Sequence, residues 1–213
     1  MLAGWRKQDP PTLKKLPVPI DIPEFLAALG TSRGANELDQ AIGDLTLIAF
    51  YYLLRVGEYT IKGSRNSTKQ TVQFRIQDVT FFSRDTMGNV RQISRLAQAE
   101  DIMMAASAML KLDNQKNGWK GVCVHHETNG HPIHCPVRAL GRRYLHICQH
   151  TRDASTFLST FYVTGKRFNV MDADIRKSLK QAAVFLNYPI TKNIPIDRID
   201  THSLQTGGAN ALS

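Results

Sequence analysis

Three short stretches of this chain carry the side chains best suited to meet an anion. Leu54-Arg55-Val56-Gly57-Glu58-Tyr59 sets an arginine three residues ahead of a glutamate, at the end of a strongly apolar run. Lys116-Asn117-Gly118-Trp119-Lys120 sets two lysines around an Asn-Gly turn. Thr201-His202-Ser203-Leu204-Gln205-Thr206-Gly207-Gly208 sets a histidine between two hydroxyl residues of the kind that cap helices. A guanidinium grips the oxygens of a phosphate or carboxylate bidentately. The amides and dipole at a helix N-terminus favour an anion there, within reach of His202. Each stretch also has a plainer reading. Arg55 would complement the dipole of the helix it ends, Lys116 and Lys120 would be solvated turn residues, and His202 would be a surface residue beside a Thr201 or Ser203 cap.

Other chemistry fits the sequence less well. Cys123, His125, His126, His131, His134 and Cys135 are zinc-ligating types, but their spacing matches no standard finger, and no metal is expected. Ser203 and Cys135 lack the elbow or base pattern of a hydrolase nucleophile. The odd, sparse set of three cysteines (Cys123, Cys135, Cys148) does not read as a disulfide framework.

The elements that must position the first three stretches follow from periodicity and turn chemistry. Residues 1–20 hold Pro10, Pro11, Pro17 and Pro19 among lysines and read as an extended arm. A short helix is expected over 23–30 and a long, buried one over 36–54, where Leu38, Ile42, Leu45, Ile48, Ala49 and Tyr52 recur at helical spacing. Residues 71–82, 105–112 and 121–126 read as strands, the first followed by a turn at Met87-Gly88-Asn89 and the last two forming a hairpin. A helix over 136–149 opens on Pro136 and buries Val137, Leu140, Tyr144 and Ile147. A hairpin is expected over 160–170, a helix from Asp172 or Asp174 to about Leu186, and a last helix from near Asp200-Thr201-His202. The layout is α+β and mainly helical, with helices around a small three-stranded antiparallel sheet.

Charge narrows the class of partner. The chain of 213 residues has a formal net charge of +9 and a sequence pI of about 9.6. That favours a polyanion, and nucleic acid before membrane. Arg138, Arg142 and Arg143 on one helix and Arg176, Lys177 and Lys180 on another read as basic faces for double-stranded DNA. The longest apolar run, 45–54, falls short of the ~20 residues of a membrane helix, and no signal core follows Met1. No membrane role is expected. The location expected is intracellular, and nuclear in a eukaryote.

Taken in order, these motifs resemble the catalytic domain of the tyrosine recombinases (phage-integrase type), and within them the integrases of eukaryotic mobile elements. The resemblance covers roughly residues 10–213. In that family a His-x-x-Arg motif opens a helix beside the DNA. Here His202 matches the histidine and Gln205 stands at the position of the second arginine. The resemblance implies that Arg55 is the first catalytic arginine and Glu58 the supporting acid. It implies that Lys116 is the hairpin lysine that protonates the departing 5′-oxygen, with Lys120 as the fallback. Charge on a pentacoordinate phosphorane is what such donors stabilise. The family cuts one strand of DNA through a 3′-phosphotyrosyl intermediate and rejoins it, without metal or nucleotide cofactor, alongside other recombinase protomers on the DNA. The domains expected are a linker arm over 1–20 and an incomplete catalytic domain over 21–213, with the nucleophilic tyrosine segment beyond Ser213. Gln205 brings no charge to the phosphate, so impaired or absent cleavage is expected. Two alternatives stand: a catalytically dead DNA-binding remnant of a mobile element, and a basic protein-interaction domain with no DNA role.

Overall fold

The long apolar stretch after Asn36 forms the centre of the molecule. In the computed structural model, which describes residues 16–61, 72–112 and 121–212, helix α1 (Asp21–Thr31) packs on α2 (Glu37–Tyr51). The Asn36 side chain accepts from the Asp39 N–H and starts α2. Every residue from Ala41 to Phe50 is buried, as expected of a helix that is apolar nearly all round. One of those buried residues is the carboxylate Asp44.

A short helix, α3 (Val56–Tyr59), follows, and then a four-stranded antiparallel sheet built from β1 (Val79–Arg84), β2 (Val90–Gln92), β3 (Ser107–Leu112) and β4 (Val122–Glu127) in the order β2-β1-β3-β4. This corrects the expected three-stranded sheet. The extra strand, β2, returns from a turn in which the Asp85 carboxylate accepts from the Met87 and Asn89 amides, both at 2.9 Å. All three of its residues are exposed, so it carries no alternating apolar signal. The expected strand over 71–82 is also shorter: before Val79 the described chain makes a bridge at Arg75 and a 3-10 turn at Ile76–Asp78. The β3–β4 register, with Met109 opposite His125 and Leu112 opposite Val122, matches the expected hairpin.

Helix α4 (Ala99–Met103) leads into β3. After the sheet come α5 (Pro136–Cys148), the two-stranded hairpin β5 (Thr160–Val163) and β6 (Lys166–Asn169), α6 (Asp172–Phe185), α7 (Tyr188–Thr191) and α8 (Thr201–Leu212). Helices α5, α6 and α8 all contact α2, so one buried helix organises the rest. Its large apolar side chains each contribute roughly 1.5–3 kcal/mol on burial. Of the expected arm, residues 16–20 are described. The Leu16 N–H donates to the Arg198 carbonyl and the Val18 N–H to the Ser203 carbonyl, so this segment straps the start of α8.

Candidate nucleic-acid interface

Arg55 sits where α2 stops. The Leu54 N–H reaches back to the Ala49 carbonyl at 2.9 Å across Leu53, whose φ is 56°. A left-handed residue closing a helix in this way is usually glycine, and a leucine there is uncommon and strained. Arg55 then begins α3. Its backbone N–H donates to Oε2 of Glu58 at 2.7 Å, and its Nη1 lies 3.6 Å from Oε1. Glu58 is buried, whereas the Arg55 side chain is 36% exposed. Burial raises the Glu58 carboxyl above its ordinary range, against the lowering effects of the Arg55 N–H and charge. The carboxylate thus fixes an arginine whose outer edge is open to solvent.

The start of α8 is held against the same region. Asp200 precedes the helix and its carboxylate accepts from the Thr201 N–H at 2.7 Å and from Nε of Arg176 at 3.1 Å. Burial pushes the Asp200 carboxyl up, but these donors and the Arg176 charge leave it below the usual range. Arg176 also lies 3.6 Å from Asp172 at the start of α6. The segment just after α3 joins the same point, because Ile61 pairs with Met171. Tyr59 is buried, and burial, then Asp200 and Glu58, push its phenol up.

Further along α8, the Gln205 Nε2 donates to the Leu53 carbonyl at 3.0 Å. Gly207 and Gly208 explain how the helix comes so close. A Cβ on Gly208 would lie 2.0 Å from the Phe50 carbonyl oxygen, and one on Gly207 would lie 1.9 Å from that of Val18. The two glycines therefore serve main-chain packing against α2 and against the strap. His202 is exposed, one turn ahead of Gln205 on the same helix.

Of the residues singled out in the sequence, Arg55, Glu58 and the Gln205-bearing helix meet at the end of α2. Lys116 and Lys120 lie outside the described residues. The basic face expected on α5 requires correction. Arg143 is 1% exposed and donates to the carbonyls of Leu158 and Thr160. Arg142 is spent on Asp44, with Nε at 2.7 Å and Nη2 at 2.6 Å from Oδ1, and on the carbonyls of Pro132 and Ile133. Neither presents a free guanidinium at the surface to a duplex backbone. A cation buried beside a buried carboxylate is costly to unpair, and Asp44 lies 98 residues away in sequence. Arg138 is half-buried. On α6, Arg176 is engaged with Asp172 and Asp200, whereas Lys177 is exposed and Lys180 half-buried. The buried Asp44 went unrecognised in the sequence. Its signal was a lone carboxylate inside Ile42-Gly43-Asp44-Leu45, which only a paired cation makes tolerable.

The histidines and cysteines scatter. Cys123 and His125 are exposed on β4, while the His126 Nε2 bonds to the Tyr51 carbonyl at 2.8 Å. His131 and His134 stack at 4.3 Å, and Cys135 is buried at the start of α5. Among the described residues no group of three or more His, Cys, Asp or Glu side chains is arranged to hold a metal ion. Among the described residues no helix is long and apolar enough to cross a membrane. No family model, curated protein or solved structure matches the chain.

Proposed function

We propose that this protein binds the phosphate backbone of double-stranded DNA at the junction of α2, α3 and α8, as a recombinase-like domain with a weakened phosphate grip. What carries the reading is the bond from Gln205 to the Leu53 carbonyl. It sets the helix that bears His202 beside the turn that bears Arg55, although the two lie far apart in sequence. The donor types suit a phosphate, since Arg55 brings a partly exposed guanidinium steered by Glu58. The exposed His202 lies at a helix N-terminus, where an anion is favoured.

The same bond argues for poor cleavage by residues 1–213. Gln205 is neutral, and its amide nitrogen is already donating to a main-chain carbonyl. A developing negative charge on phosphorus would lack a preorganised cation at this position, a loss that commonly costs about 10²–10³ in rate. The test is duplex binding by the wild-type chain and by Arg55→Ala and His202→Ala, across a range of salt. Both variants are expected to bind more weakly, and Arg55→Ala also with a salt dependence shallower by about one phosphate contact. Wild-type binding insensitive to salt would support a protein-interaction domain instead. A nicked suicide duplex is expected to give no covalent adduct, and an adduct would show that cleavage does not need a charged residue 205.

A further inference from the structure

A second site lies away from the Arg55 junction. A cavity of about 410 Å³ opens between the end of α1, α2 and α5. Gln40 and Asp44 line it from α2, and Arg143, His146 and Gln149 from the α5 side. The volume falls in the range of small-molecule sites.

Its charges do not cancel. Asp44 is neutralised by Arg142, whose Nε and Nη2 both fall on Oδ1. Arg143 is deeper still, and its donors go to the uncharged carbonyls of Leu158 and Thr160. Among the described residues no carboxylate lies within ion-pair distance of it. The lining thus holds two arginines against one carboxylate, an excess of one positive charge, and the Arg143 side chain is fully buried. Burial lowers the Arg143 pKa to about 10, opposed by the Asp44 charge, so the group stays cationic at neutral pH. An uncompensated buried charge is strongly unfavourable unless an opposite charge or ligand meets it.

The neutral lining is suited to the same kind of ligand. The His146 Nε2 accepts from the Tyr162 N–H at 3.2 Å, which puts the ring proton on Nδ1. Burial, then the charges of Arg143 and His150, hold His146 down to about 4. It is therefore a neutral donor at working pH. Gln40 and Gln149 add carboxamide donors. We propose that this cavity binds a small oxyanion, an organic carboxylate or a phosphate monoester, with Arg143 supplying the charge and Gln40, His146 and Gln149 the neutral hydrogen bonds.

The test uses the full chain, with inorganic phosphate and acetate titrated at constant ionic strength against chloride, read as the thermal midpoint. A saturable rise with at least one of the two is expected, because a ligand that binds only the folded state stabilises it. Response to phosphate alone, or to acetate alone, identifies which source the site prefers. The rise should persist in Arg55→Ala and in His202→Ala, which separates it from the DNA site. It should weaken by about tenfold or more in apparent affinity in the double variant Gln40→Phe, Gln149→Phe, which fills the cavity at solvent-accessible positions. Arg143→Met should abolish it, and if that variant does not fold the double variant decides. No saturable rise with either anion overturns the proposal. So does a rise that is lost in Arg55→Ala but kept in the double variant.

Discussion

Gln205 holds the Arg55 junction with a neutral amide that donates to the Leu53 carbonyl. An arginine there can keep one donor on the Leu53 carbonyl and still present others toward the Arg55 side, because its fork carries five N–H groups. Gln205→Arg is therefore expected to tighten duplex binding several-fold and to steepen its salt dependence by about one phosphate. An unchanged salt slope in a fluorescence-anisotropy titration would mean that residue 205 does not face the DNA. A second residue-scale expectation concerns Asp44 and Arg142. Removing one partner leaves a charge buried alone, so Arg142→Met should destabilise by roughly 3–5 kcal/mol, whereas the double change Asp44→Leu, Arg142→Met should recover most of that. Urea midpoints of the two variants decide it. Equal losses in both would show that the pair does not act as a unit. Asp200 gives the pH dependence. Its folded pKa lies below the unfolded value near 4. Its contribution is therefore complete above that value and is lost as pH falls through the lower, folded one. Asp200→Asn should flatten the acid limb of stability against pH without changing the neutral plateau's shape.

At the scale of elements, the close contact of α8 with α2 is the feature most open to attack. A methyl group on Gly208 would meet the Phe50 carbonyl oxygen, so the helix must shift outward. Gly208→Ala is expected to cost about 1–3 kcal/mol or more. By loosening the Gln205 bond to Leu53 it should also weaken duplex binding. A variant of wild-type stability would mean that α8 is not seated as described. The same elements show what a sequence can and cannot announce. Helix α2 was legible because its apolar residues recur at helical spacing. Helix α8 was legible from Asp200 and Thr201. The Arg55–Glu58 pair was visible as an i, i+3 spacing. Strand β2 was not, since three exposed residues leave no alternation. The fates of Arg142 and Arg143 were not legible either. Spacing separates an apolar stripe from the remainder of a helix, and it does not say which polar residue will find a buried carboxylate or a carbonyl 15 or more positions away. Gly207 and Gly208, odd within a helix, were legible as a sign of close approach either to DNA or to the buried helix before Arg55. Gly208 meets that helix at Phe50, whereas the approach of Gly207 to Val18 was not legible.

For the whole molecule, net charge sets the expectation and the fold reduces it. The chain carries +9, yet Arg142, Arg143 and Arg176 are engaged with protein carboxylates or carbonyls. Among the described residues, the cations left for a polyanion near the α2–α3–α8 junction are chiefly Arg55, beside the hydrogen-bonding ring of His202, with Lys177 exposed on the neighbouring α6. Affinity should therefore reflect a few phosphate contacts, not nine. At about −0.9 per phosphate, a slope of log affinity against log salt between roughly −2 and −4 is expected. Phosphate contacts carry no base information, so duplexes of unrelated sequence should compete equally. Lys177→Ala should lower the slope, whereas Arg142→Met, if folded, should leave it unchanged despite removing the same formal charge. A slope near −9, or a loss in Arg142→Met equal to that in Lys177→Ala, would show that net charge governs binding and that the burial of the α5 arginines is irrelevant to it.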